Sequence, residues 1–184
     1  DDIACQPLKR RRSNPWGEPA ETVFRCAGCP KQGRYLAGKL LEKGIDMAYA
    51  YKPLHEEDGL GHAFVNTLLF LDYDRTGLPY PVLPFQVNCY GSKVIRNHGG
   101  SEEYSPEPDP PGPSPKRCME VGAATARVLQ ETPWRVALIA SSSWSHAFLT
   151  EKTCWLHPDM EADRARFAEF RNADWDAWRR LTTQ

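Results

Sequence analysis

The chain has 184 residues, with 23 Lys and Arg against 24 Asp and Glu and a formal net charge of −1. That length holds a domain with a core of its own, and a charge so close to zero provides no field that would select nucleic acid or an anionic membrane. The sequence has no signal-peptide apolar stretch and no apolar run long enough to span a bilayer, so a soluble cytoplasmic protein is expected, with no nucleic-acid or membrane partner.

From the start of the chain, Ile3-Ala4-Cys5 reads as a strand already under way. Lys9-Arg10-Arg11-Arg12, followed by Ser13-Asn14-Pro15, reads as a solvated loop. A nucleic-acid patch would need aromatics and further basic residues around it. Gln32 to Lys43 predicts a helix: Tyr35, Leu36, Leu40 and Leu41 recur at helical spacing, and Gly44 stands where a terminating glycine belongs. Ile45 to Tyr51 predicts a strand. His62 to Leu71 is apolar on most faces and predicts a buried helix. Tyr80 to Val87 predicts a strand interrupted by Pro81 and Pro84, which cannot donate to a ladder.

Gly99 to Pro115 breaks the pattern with six prolines and no apolar periodicity, a composition that cannot build a core. It marks an inserted Pro-rich loop at about 91–115 within a single domain covering residues 1–184. Lys116 to Gln130 predicts a helix with Met119, Val121, Ala124, Val128 and Leu129 as its apolar set. Arg135 to Ala140 predicts a buried strand, and Pro158 to Phe170 and Asp174 to Leu181 predict charged helices anchored by Phe167, Phe170, Trp175 and Trp178. Strands alternating with helices argue for an α/β fold, a mainly parallel or mixed sheet flanked by helices.

Six cysteines, Cys5, Cys26, Cys29, Cys89, Cys118 and Cys154, follow no framework spacing and read as free thiols of a reducing compartment. Cys26-Ala-Gly-Cys29 is a lone C-x-x-C: a zinc site would need a second pair, and a redox pair would need a strand leading into it. Among five histidines, His55, His98 and His157 lie in polar loops. His62 opens an apolar helix, where the positive end of the helix lowers an imidazole pKa; it is either a half-buried cap or a proton acceptor. His146 follows Ser141-Ser142-Ser143-Trp144-Ser145 at the carboxyl end of the 135–140 strand, the edge where open α/β sheets place their chemistry. The serines allow close backbone approach, Trp144 offers an aromatic wall, and an imidazole is the usual acid–base group near neutrality. The alternative is a core histidine bonded to one of the serines. A serine-hydrolase reading fails because the G-x-S-x-G elbow is absent, and a zinc-hydrolase reading fails because H-E-x-x-H is absent.

Four segments in order carry a resemblance: Asp58-Gly59-Leu60-Gly61-His62, Pro84-Phe85-Gln86-Val87-Asn88-Cys89-Tyr90, Pro113-Ser114-Pro115-Lys116-Arg117-Cys118 and Ser141-Ser142-Ser143-Trp144-Ser145-His146. Together they resemble the class III extradiol ring-cleavage dioxygenases, the family of the catalytic subunit of protocatechuate 4,5-dioxygenase. The first differs from the family in having Gly61 before the histidine in place of Asp. The resemblance implies cleavage of a catechol-type ring by O₂ at non-haem Fe(II) held by two histidines and one glutamate. It implies that His146 is the acid–base residue, that His62 contacts substrate or oxygen intermediates, and that Trp144, Ser145 and Asn88 are substrate-binding. It supplies no metal ligand within these 184 residues, so the chain is expected to be an interior fragment of such an enzyme, with the iron ligands outside it. A carboxylated catechol would want a cation, for which Lys93, Arg96 and Arg117 are neighbours in sequence. A homo-oligomer or a small partner subunit is compatible with the resemblance. The alternative reading is a non-catalytic relative on the same fold that acts through protein–protein contacts.

Overall fold

The computed structural model describes residues 2–5, 19, 22–51, 59–88, 110–146, 150–154 and 156–182, with the backbone alone described at 2–5, 62 and 151. It is a mixed, helix-rich structure whose elements run β1 (Asp2–Cys5), β2 (Phe24–Ala27), α1 (Pro30–Glu42), α2 (His62–Leu71), α3 (Pro115–Gln130), α4 (Met160–Arg171) and α5 (Trp175–Arg179). A 3₁₀ turn covers Glu151–Thr153. The chain packs as two compact units, the first of residues 1–85 and 127–142, the second of residues 86–126 and 143–184.

In the first unit β1 and β2 pair antiparallel, with Ile3 opposite Cys26 and Cys5 opposite Phe24. Along β2 burial alternates, and Cys26 faces inward. Cys26 packs with Val65 and Leu69 of α2, and Phe24, Leu60, Leu68 and Val82 close the edges of this cluster. Pro30 starts α1 at a position where its missing N–H costs nothing. Leu36 and Leu40 bury the helix's apolar stripe, Leu40 with 0% exposure.

The end of α1 shows how sequence sets geometry. Gly44 adopts a φ of 76°. Its N–H donates to the Leu41 carbonyl (3.0 Å) and the Ile45 N–H to the Leu40 carbonyl (2.9 Å). Two orphan carbonyls are thereby satisfied and Ile45 is turned into the core. Beyond it, Tyr35 meets Trp134 edge-on at 5.3 Å, and Lys43 pairs with Glu131 at 3.1 Å.

In the second unit α4 is capped by Asp159, whose carboxylate accepts from the Ala162 N–H at 3.1 Å. Asp174 caps α5 in the same way through Ala177 at 2.9 Å. Between these helices Phe170 packs edge-on against Trp175 (5.7 Å) and tilted against Trp178 (6.1 Å). The Trp178 indole N–H is buried with no hydrogen-bond partner among the described residues.

The five α-helices among the described residues fall where the periodicity predicts them, with ends shifted by a residue or two. The expected mixed sheet is where the structure differs. Among the described residues β1–β2 is a two-stranded pair, and none of the strands predicted at 45–51, 80–87 and 135–140 is in a ladder. At 80–87 the cause is local: Pro81 and Pro84 lack donors, so only Val82 pairs, in a single parallel bridge to Gly28 with its N–H on the Ala27 carbonyl at 2.7 Å. Ile45 instead completes the turn after α1, and Tyr49 and Tyr51 stack edge-on at 5.0 Å. Residues 135–140 run without a ladder partner among the described residues, and Val136, Leu138 and Ile139 are exposed, Leu138 by 74%. An all-apolar run of this kind has the composition of a strand covered on both faces. The helix predicted as buried over 62–71 is buried on one side only: Val65 and Leu69 face the core, while Phe70 and Leu71 face solvent.

Candidate functional site

The segment 131–146 is built by a sequence of local anchors. After α3 the Thr132 hydroxyl donates to the Leu129 carbonyl at 2.7 Å and accepts from the Trp134 N–H at 3.4 Å, which turns the chain out of the helix. Residues 135–140 then lead to the serines. Within the first unit the Ser141 hydroxyl donates to the Ala63 carbonyl at 2.7 Å. Ala63 is the residue after His62, so the end of the apolar run is tied to the first turn of the helix that carries the first candidate histidine. Alongside lies an open, apolar groove of about 330 Å³, lined by Asn66, Thr67, Phe70, Leu71, Ile139 and Ala140.

In the second unit three consecutive residues are each held by a different group. The Trp144 ring packs against Phe167 of α4 and Trp178 of α5, both at 6.1 Å. Ser145 donates twice to Asp163: its N–H to Oδ1 at 3.0 Å and its hydroxyl to Oδ2 at 2.8 Å. The His146 carbonyl accepts from the Thr150 hydroxyl at 2.7 Å. His146 itself is exposed. Its backbone is held at the carbonyl by Thr150, and the preceding residue is held by Asp163.

No protein-family model, curated protein or solved structure matches the chain.

His62 is the first residue of α2, and the N-cap is Gly61, which makes no side-chain bond. The imidazole of His62 lies outside the described residues. His62 belongs to the first unit and His146 to the second. Asn88 is exposed at the end of the 81–88 stretch. Arg117 is engaged by Glu120 at 3.2 Å, one turn on along α3, while Lys93, Arg96, His55 and His98 lie outside the described residues. His157 is exposed in a turn, with Nδ1 3.1 Å from the Pro158 carbonyl.

Among the described residues no three His, Cys, Asp or Glu side chains gather into a set that could hold a metal ion. Cys29 and Cys154 are free thiols, and burial pushes the Cys29 thiol above its ordinary value, away from the reactive thiolate. Among the described residues no helix is long and apolar enough to cross a membrane.

Two acidic groups that the sequence places on a solvated helix turn out to do structural work. Asp159 has its pKa lowered first by the Ala162 N–H and then by Lys152, whose ammonium lies 3.0 Å away. Asp163 holds Ser145. The available signal was the position of both acids at the start of a helix, which identifies a cap but not a partner eighteen residues upstream.

Proposed function

We propose that the chain carries the acid–base part of a non-haem Fe(II)-dependent extradiol dioxygenase, cleaving a catechol-type ring with O₂. The observation that carries the reading is the exposed His146 on a backbone clamped by Asp163 and Thr150, at the end of an apolar run that resembles the family's. A general base must be reachable by its substrate and held in one place. The clamp meets the second requirement and the exposure meets the first.

In this reading the His146 imidazole takes the proton of a catechol hydroxyl, and Trp144 beside it offers a ring face to the aromatic substrate. Ser145 has both its donors committed to Asp163, so its part is to hold the turn while its lone pairs remain able to accept from a substrate hydroxyl. The Ser141 hydroxyl bonds the carbonyl of Ala63, the residue after His62, to which the resemblance gives a role toward substrate or oxygen. Iron(II), when bound, supplies Lewis acidity toward the catechol oxygens and a position for O₂. The α/β dioxygenase-like domain, with its Fe(II) and a cytoplasmic setting, is part of this same proposal.

The test is an anaerobic Fe(II) titration followed by metal analysis after desalting, then O₂ uptake with a panel of catechols. Retained iron and catechol-dependent uptake with a yellow ring-opened product are expected of a chain that completes its site. Iron binding with no uptake on any catechol would overturn the reading. The second reading, a non-catalytic relative, is favoured by the apolar groove beside α2, where Phe70 is 71% exposed; it requires neither retained iron nor uptake.

A further inference from the structure

We propose that Asp163 is a positioning residue for His146, an inference that rests on the reading of His146 as the catechol base. Asp163 sits in the first turn of α4, where a carboxylate ordinarily serves the helix itself, either as a cap or as a partner for its positive end. The cap is already Asp159, which takes the Ala162 N–H. Both oxygens of Asp163 are turned instead to a single residue on another segment, one to the Ser145 N–H and one to its hydroxyl. A carboxylate that accepts a backbone and a side-chain bond from the same residue fixes its peptide plane and its side-chain torsion together. Charge-assisted bonds of this kind are the stronger class. The next peptide carries His146, whose carbonyl is fixed from the far side by Thr150. Asp163 is thus the group that ties the backbone of this turn to a helix, and Trp144 against Phe167 and Trp178 adds an apolar contact to the same pair of helices.

The two bonds separate the substitutions. In D163A both acceptors are lost. In D163N the amide oxygen still accepts the Ser145 N–H, and the amide NH₂ can donate to the hydroxyl, which turns to accept. The experiment is amide and histidine-ring NMR on the full chain, without substrate, for D163A, D163N and S145A. In D163A the amides of Ser145 and His146 shift and the His146 ring gains fast motion, while the Ala162 amide, held by Asp159, stays in place. D163N restores His146 to the order of the parent, and S145A falls between. On the Fe(II)-loaded chain, D163A lowers kcat for catechol about 10–100-fold with little change in KM, the size of effect expected of a base displaced by about an ångström, and D163N recovers it.

An unchanged His146 in D163A overturns the proposal, as does a disturbance that spreads equally to Ala162. Should D163A fail to fold, S145A decides alone: unaltered His146 ring motion there overturns it. The resonance measurements need no turnover. A loosened His146 in a chain that never consumes O₂ would therefore sink the assignment of the base while leaving the anchor intact.

Discussion

Two glycines, one inside α1 and one just past its end, should respond in opposite senses to the same substitution. At Gly44 the backbone φ is 76°, and an added Cβ would meet nothing within 4 Å. The cost of G44A is therefore conformational rather than steric: about 1–2 kcal/mol for placing an L-residue in the left-handed region, reduced by the smaller entropy of the unfolded chain. A net loss of about 1 kcal/mol remains. Gly38 lies inside α1 with open space at its Cβ and an ordinary helical backbone. G38A should gain roughly 0.5–1 kcal/mol, the helix preference of Ala over Gly. The two variants then differ by about 1.5–2 kcal/mol, which places their urea midpoints roughly 0.5–2 M apart. Tryptophan fluorescence through a urea titration reads this directly. Both midpoints moving the same way would refute the argument, because it would mean that the turn after α1 does not hold Gly44 in its left-handed conformation.

Other perturbations test the core, the site and the capping. L40A, at a side chain with 0% exposure, should cost about 2–5 kcal/mol in chemical denaturation, whereas L41A one position on, half exposed, should stay within about 0.5 kcal/mol. H146Q should lower catechol-dependent O₂ uptake about 10²–10⁴-fold with an unaltered far-ultraviolet spectrum; uptake at the parent rate would remove His146 from the chemistry. Asp159 has a folded pKa below its ordinary value, so its contribution is complete above the unfolded carboxylate range and is lost as pH falls through the folded one. The protection factor of the Ala162 amide should accordingly fall on the acid side of that range, and in D159A it should be low at neutral pH as well.

Helices were legible in this sequence because their signal is local. Leu36 and Leu40 mark the buried face of α1, and Gly44 its end, without reference to any other part of the chain. The strand signal at 135–140 has no ladder behind it among the described residues, since a ladder depends on a partner that composition cannot name. Pro81 and Pro84 gave fair warning at 80–87, where a single bridge survives. β2 escaped notice because four residues, Phe24 to Ala27, are too few for alternation to stand out. At the site, the serines and the histidine were visible as a run, and Trp144 as a ring beside them. Asp163 was not, because its partner is eighteen residues away and its own neighbourhood reads as a charged helix face.

The first unit is assembled from two stretches of chain, residues 1–85 and 127–142, with a stretch belonging to the other unit between them. During synthesis its closing residues leave the ribosome about 2–11 s after the first stretch is complete. Over that interval α1 lacks the Lys43–Glu131 pair and the Tyr35–Trp134 contact, and the first turn of α2 lacks Ser141. The nascent chain must therefore hold its earliest helices in waiting, open to chaperones and proteases, until residues translated last in that unit return to cover them.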